Sequence, residues 1–188
     1  VSLGLALTLS FGATLDEGVE AFEKGDYKTA LSIFEDLSST NNSEAQYYLG
    51  IIYANGYGVK QDYIKAREWF EKAAAQGHVE AQNEIGFIYT NGYGVKQDYS
   101  KAREWFEKAA VQGHSEAQNH LGAIYKNGEG VKQDYKKAVE WFVKAANQGN
   151  AIGEYNLGVM YHNGYGVKQD YKKSKEWFEK AATQGDAN

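Results

Sequence analysis

The sequence predicts an all-α chain of stacked helical hairpins, and three observations carry that prediction. Nearly identical blocks return every 36 residues: Asn55-Gly56-Tyr57-Gly58-Val59 recurs at Asn91 to Val95, Asn127 to Val131 and Asn163 to Val167, and tryptophan stands at Trp69, Trp105, Trp141 and Trp177. A fixed period of this length marks supersecondary units that bury their apolar faces only against a neighbour. Within each block the apolar residues keep helical spacing, as in Ala45, Leu49, Ile52 and Tyr53. Finally, the 188 residues contain no proline and 21 glycines, the latter at fixed block positions, which is the mark of specific turns and not of flexible linkers.

Taken in order, residues 1–13 read VSLGLALTLSFGA, uncharged and mostly apolar. The run is shorter than the ~20 apolar residues a membrane span requires. It reads as the remnant of a secretory signal peptide, which implies a periplasmic or secreted protein; a buried N-terminal helix is the other reading.

Residues 14–42 predict a first, divergent hairpin. Leu15, Val19 and Phe22 share one helical face, Gly25-Asp26-Tyr27 breaks it, and Ala30, Leu31, Phe34 and Leu37 resume. Asp26, Tyr27 and Phe34 stand 36 positions before Asp62, Tyr63 and Phe70, with a turn four residues shorter than in the later copies.

Four full hairpins follow over 43–78, 79–114, 115–150 and 151–186, forming with the first one continuous domain. In each, a first helix ends at Asn-Gly, where glycine closes the helix in the left-handed conformation. An aspartate such as Asp62 then caps a second helix by accepting from its free N–H groups. His78 and His114 take the turn position that Asn150 and Asp186 fill elsewhere, which assigns them to capping. Glu68 and Lys72 form a well-oriented i,i+4 pair on the outer face, worth about 0.2–0.5 kcal/mol. Gly50, Gly86, Gly122 and Gly158 lie in mid-helix, where glycine costs ~1 kcal/mol against alanine. Their recurrence predicts a close helix crossing, with Ala66, Ala102, Ala138 and Ser174 as the small residues opposite.

Composition excludes several function classes. A net charge of −5 lacks the basic excess of nucleic-acid binders. The absence of cysteine removes disulfides, thiolate nucleophiles and thiolate metal sites. No serine is followed by lysine at the Ser-x-x-Lys spacing, and Lys-Thr-Gly is missing. The Gly-x-Gly of the loops lacks both the third glycine of a dinucleotide fingerprint and the Gly-Lys-Ser/Thr of a phosphate loop, so it is turn chemistry. His120 and Glu84 are the only side chains that suggest a metal, and two donors on separate helices predict neither a metal nor another cofactor.

The run Ala45-x-x-x-Leu49-Gly50-x-x-Tyr53-x-Asn55-Gly56-x-Gly58-Val59-x-Gln61-Asp62-Tyr63-x-x-Ala66-x-x-Trp69-x-x-Lys72-Ala73-Ala74-x-x-Gly77 resembles the Sel1-like repeat, a relative of the tetratricopeptide repeat. The first hairpin is nearer the plain tetratricopeptide form. The resemblance implies a right-handed α/α superhelix of five hairpins, a non-catalytic role as a scaffold for a protein or peptide partner, and first helices that line a concave groove. The cysteine-rich Helicobacter members of this group are linked to β-lactam binding. This chain carries Ala74, Ala110, Ala146 and Ala182 where a repeat cysteine would follow, so the disulfide-dependent part of that analogy does not transfer. A β-lactam-binding protein or hydrolase, and a purely structural, self-assembling repeat, are the competing functions.

The copies differ along one face of the first helices, and those positions are the candidate partner-binding residues. They are Tyr47, Asn83, Asn119 and Tyr155; Ile51, Phe87, Ala123 and Val159; His162; and the flanking Tyr48, Glu84, His120 and Asn156. The Asn83 and Asn119 amides are expected to hold a ligand backbone through paired hydrogen bonds. The competing reading packs the apolar members against neighbouring first helices. The apolar second helix around Trp177 and Phe178 further predicts end-to-end self-association or a longer array.

Overall fold

The computed structural model describes residues 12–185, and over these the chain is five antiparallel helical hairpins stacked in sequence order. The signal-peptide reading of residues 1–13 falls, apart from Gly12 and Ala13, outside the described residues. The first hairpin is α1 (Leu15–Glu23) and α2 (Tyr27–Ser38). The next two are α3 (Ser43–Asn55) with α4 (Tyr63–Ala75), and α5 (Val79–Asn91) with α6 (Tyr99–Val111). The last two are α7 (Ser115–Asn127) with α8 (Tyr135–Ala146), and α9 (Ala151–Asn163) with α10 (Tyr171–Gly185). Each second helix packs on the first helix of its own hairpin and, up to α8, on that of the next, and α7 also packs directly on α9, as an inner row of first helices requires.

Local chemistry sets the boundaries as expected. Gly56 closes α3 at φ 72°, its N–H donating to the Ile52 carbonyl at 2.9 Å. Asp62 Oδ1 accepts from the Ile64 and Lys65 N–H groups, both at 3.0 Å, and starts α4. His78 Nδ1 accepts from the Ala81 N–H at 3.3 Å and His114 Nδ1 from that of Ala117 at 3.2 Å, so both histidines are helix caps. With Nδ1 accepting, His78 Nε2 carries the proton and lies 3.0 Å from the Glu44 carboxylate of the preceding first helix.

The loop between the helices is a joint. Gln61 Nε2 donates to the Ala54 carbonyl at 2.8 Å, and Gln97, Gln133 and Gln169 repeat the bond. Gly94, the second loop glycine, sits so close to the preceding second helix that a Cβ would meet the Tyr63 Cβ at 3.1 Å. Loop tyrosines stack on the tyrosine that begins that helix: Tyr57 on Tyr27 at 4.6 Å, Tyr93 on Tyr63 at 4.7 Å, and Tyr165 on Tyr135 at 4.6 Å. Glu129 breaks the series opposite Tyr99.

Two expectations are corrected by the packing. The mid-helix glycines face phenylalanine, not the small residues: a Cβ on Gly86 would meet Phe106 at 2.6 Å, and one on Gly158 would meet Phe178 at 2.7 Å. Ala66, Ala102 and Ala138 are fully buried in the same core clusters as Phe70, Phe106 and Phe142. Phe70, Phe106 and Phe142, also 0% exposed, thus lie flat on glycine inside their own hairpins. Lys72 does not reach Glu68 either. Its ammonium sits 3.7 Å above the Trp69 ring, as Lys108, Lys144 and Lys180 sit over their own tryptophans at 3.8 to 4.0 Å. On a half-buried ring a cation gains about 0.5–1 kcal/mol, against about 0.3–0.5 kcal/mol for an exposed i,i+4 ion pair.

Candidate functional site

Stacking sorts the candidate residues of the inner row into three groups. Tyr47, Asn83 and Asn119 share a register that the following first helix covers. Asn83 is 4% exposed and Asn119 8%, so both lie beneath the surface, which corrects the expectation that their amides hold a ligand backbone. Asn119 Oδ1 is already committed, accepting from Asn156 Nδ2 of α9 at 2.9 Å. The matching Asn83 Oδ1 is buried with no hydrogen-bond partner among the described residues. Tyr47 stacks on the capping His78 ring at 4.7 Å. Burial, helped by the Glu84 carboxylate, pushes its phenol above the usual range. Tyr155 takes this register in the last hairpin, where it is 55% exposed and tilts against Phe178 at 5.3 Å.

The second group, Tyr48, Glu84, His120 and Asn156, leans toward the preceding hairpin. Tyr48 stacks on Phe34 at 4.8 Å, and His120 stacks on Phe106 at 4.6 Å. Burial holds the His120 pKa below its ordinary value and raises that of Glu84, the latter with help from Glu116. The third group is the least buried: Ile51 packs against the margin of the core, Ala123 and Val159 are half-buried, Phe87 is 40% exposed, and His162 is exposed with its ring edge against Tyr171. Phe87 lies 5.8 Å from Tyr93 and 6.4 Å from His120, so these three form one aromatic patch. The variable face is therefore part seam and part surface.

Sequence reasoning missed a row of amide bonds that ties the end of each second helix to the first helix of its own hairpin. Gln76 donates to Gln46 Oε1, Gln112 to Gln82 and Gln148 to Gln118, each at 2.8 Å, and Gln184 donates to the buried Glu154 at 2.9 Å. The recurrence of Gln46, Gln82 and Gln118 at a core-facing register was the available signal. Among the described residues, no three His, Asp or Glu side chains converge on a metal-sized space, and no helix is long and apolar enough to cross a membrane.

The family model of the Sel1 repeat matches residues 43–78, 79–114, 115–150 and 151–186, the four full hairpins. The chain belongs to the Sel1 repeat family. Sel1 repeats are commonly protein-interaction scaffolds and generally non-catalytic. A Sel1 repeat protein from Oxalobacter formigenes is 31% identical with a TM-score of 0.84, over 91% of this chain and 68% of that one. A protective antigen present in uropathogenic Escherichia coli, displaying an SLR fold, is 34% identical with a TM-score of 0.81 over 90% of this chain. This chain spans 39% of that protein's length. Cysteine-rich protein B of Helicobacter pylori is 28% identical with a TM-score of 0.51, over 63% of this chain and 90% of its own. No curated protein matches the sequence. The Sel1 hairpins here are built without cysteine: amide pairs such as Gln76–Gln46 tie the two helices of a hairpin, and the Asn119–Asn156 bond ties α7 to α9.

Proposed function

We propose that this Sel1 array is an exported, non-catalytic scaffold that binds a protein or peptide partner along the inner row of its first helices. One observation carries the reading: on a frame that repeats almost unchanged, the register of Ile51, Phe87, Ala123 and Val159 varies, and it holds Phe87 at 40% exposure. An aromatic ring beside Tyr93 and His120 on a surface the hairpin does not need is a binding anchor. Ile51→Ser together with Phe87→Ser tests it by pull-down from envelope extracts. Loss of specific bands with unchanged helicity supports the groove, and an unchanged band pattern overturns it. Export rests on the apolar run of residues 1–13 and is tested by fractionating cells that express the full gene.

A second reading, end-to-end association of two copies, is favoured by Ile152 and Tyr155. They are 61% and 55% exposed where the preceding hairpin carries Glu116 and Asn119, and with Phe178 and Ala182 they line an open apolar hollow of about 680 Å³. Sedimentation showing a monomer up to high concentration would remove this reading.

A further inference from the structure

In the first four hairpins the outer side of the second helix is covered by the first helix of the next. Tyr48 lies on Phe34 and His120 on Phe106 in this way, and Phe34, Phe70, Phe106 and Phe142 are all fully buried. On the last hairpin the same positions are open among the described residues. Phe178 is only half-buried, and Ala182 is exposed where Ala74, Ala110 and Ala146 are buried. Tyr171, whose equivalents Tyr27, Tyr63 and Tyr135 lie under a loop tyrosine of the next hairpin, is 62% exposed.

Tyr171, Lys175, Phe178 and Ala182 follow one another at intervals of four, three and four residues, so α10 presents them as one stripe, with the spacing of a helix that packs along another helix. Beside the stripe, on α9, stand Ile152 and Tyr155. Ile152 takes the register of Glu44, whose carboxylate meets the His78 cap of the following hairpin, so this edge does not offer that polar contact of an internal seam. The far end of the array is built in the opposite way. Aligned on Gly18 and Gly50, which lie under Phe34 and Phe70, the exposed Glu17 and Glu20 of α1 match the fully buried Leu49 and Ile52 of α3. Head-to-tail stacking would therefore bury two carboxylates against apolar groups, whereas a second copy of the same end brings none to that position.

We propose that the stripe is covered by α10 of a second copy, lying antiparallel across a two-fold axis beside Trp177. Set that way the stripe complements itself. Tyr171 of each copy lies over Ala182 of the other and enters the hollow lined by Ile152, Tyr155, Phe178 and Ala182. Lys175 runs its stem along Phe178 of the other copy and brings its ammonium to the other Glu179. Within one chain Lys175 and Glu179 pair at 3.6 Å with both side chains exposed, and the antiparallel arrangement exchanges two such weak pairs for two across the interface. The contact is isologous, so association stops at two copies. This assignment rests on the end-to-end reading above and gives it a geometry.

The chain has no cysteine, so introduced cysteines report the geometry in the full chain. Tyr171→Cys mixed with Ala182→Cys should give a disulfide-linked dimer on mild oxidation, and neither variant alone should, because like positions lie roughly 16 Å apart at about 1.5 Å per residue. In sedimentation, Lys175→Glu and Glu179→Lys should each weaken dimerisation about tenfold or more, and an equimolar mixture of the two should regain it, since each mixed pair sets Glu against Lys. Ile152→Glu should weaken it to a similar degree. Thermal melting equal to that of the parent certifies each variant. A parent chain that stays monomeric up to high concentration leaves the hollow to a different helix and removes both the end-to-end reading and this geometry. If the parent dimerises but like cysteines crosslink as readily as unlike ones, or the mixed charge variants stay apart, the reading stands and the geometry falls. Oligomers that grow past two copies put α1 in the hollow and overturn the geometry as well.

Discussion

Asn156 Nδ2 donates to Asn119 Oδ1 at 2.9 Å, joining two successive first helices by an amide pair that spans 37 residues of sequence. Asn119 is 8% exposed and Asn156 half-buried, so the bond is largely shielded from water. Asn156→Ala should therefore leave a buried acceptor unpaired and lower stability by about 1–3 kcal/mol. Urea denaturation checks this, with the midpoint shifting and the slope unchanged.

Gly86 sits under Phe106, where a Cβ would come within 2.6 Å of the ring. Alanine for glycine within a helix ordinarily stabilises by ~1 kcal/mol, but overpacking costs about 1–3 kcal/mol. Gly86→Ala should thus destabilise, and Phe106→Leu in the same chain should recover part of the loss. Thermal melts of the single and double variants decide it, and a stabilised single variant would contradict the packing.

Lys72 lies 3.7 Å above the Trp69 ring and makes no bond to Glu68. Lys72→Met should cost about 0.5–1 kcal/mol and shift the tryptophan emission of that hairpin. Glu68→Gln should leave stability nearly unchanged. The reverse ranking would restore the ion pair as the stabilising contact.

Glu129 occupies the loop position that elsewhere holds a tyrosine stacked on the preceding hairpin. Glu129→Tyr should complete the series over Tyr99 and stabilise by about 0.5–1.5 kcal/mol. A rise in melting temperature is the expected readout.

His120 is held neutral by burial, its pKa lying below 6.5 in the folded chain. As pH falls through 6.5, the unfolded chain takes up a proton that the folded chain does not, so stability should fall with acidification in this window. Glu84, with a raised pKa, acts in the opposite sense: stability gained by its protonated form is lost as pH rises through its folded value. The neighbouring Glu116 and His114 modulate the His120 titration. Melting temperatures from pH 5 to pH 8 should slope less in His120→Gln than in the parent.

The repeat made most of this fold legible. Asp62, Gly56 and His78 cap helices as their residue types require, because capping is a local property of a few adjacent backbone groups. What stayed hidden depends on how one hairpin sits on the next. The Asn119–Asn156 bond joins positions 37 apart, not 36, so comparing equivalent positions does not reveal it. The burial of Asn83 follows from the following first helix, which no periodicity in α5 announces. Lys72 has two attractive neighbours in sequence, and the choice of Trp69 over Glu68 is a matter of desolvation.

Each loop clasps only the hairpin before it, through a glycine pressed on a tyrosine and, in three joints of four, a second tyrosine stacked above. Under tension such a chain carries its load joint by joint, since among the described residues the helix packing runs from each hairpin to the next. The joint at Glu129 has the glycine and a Ser100 Oγ–H bond to the Gly130 carbonyl at 3.4 Å but not the stack, so it is where a stretched array is expected to part first. Parting there would divide the aromatic patch of Phe87, Tyr93 and His120 between two halves.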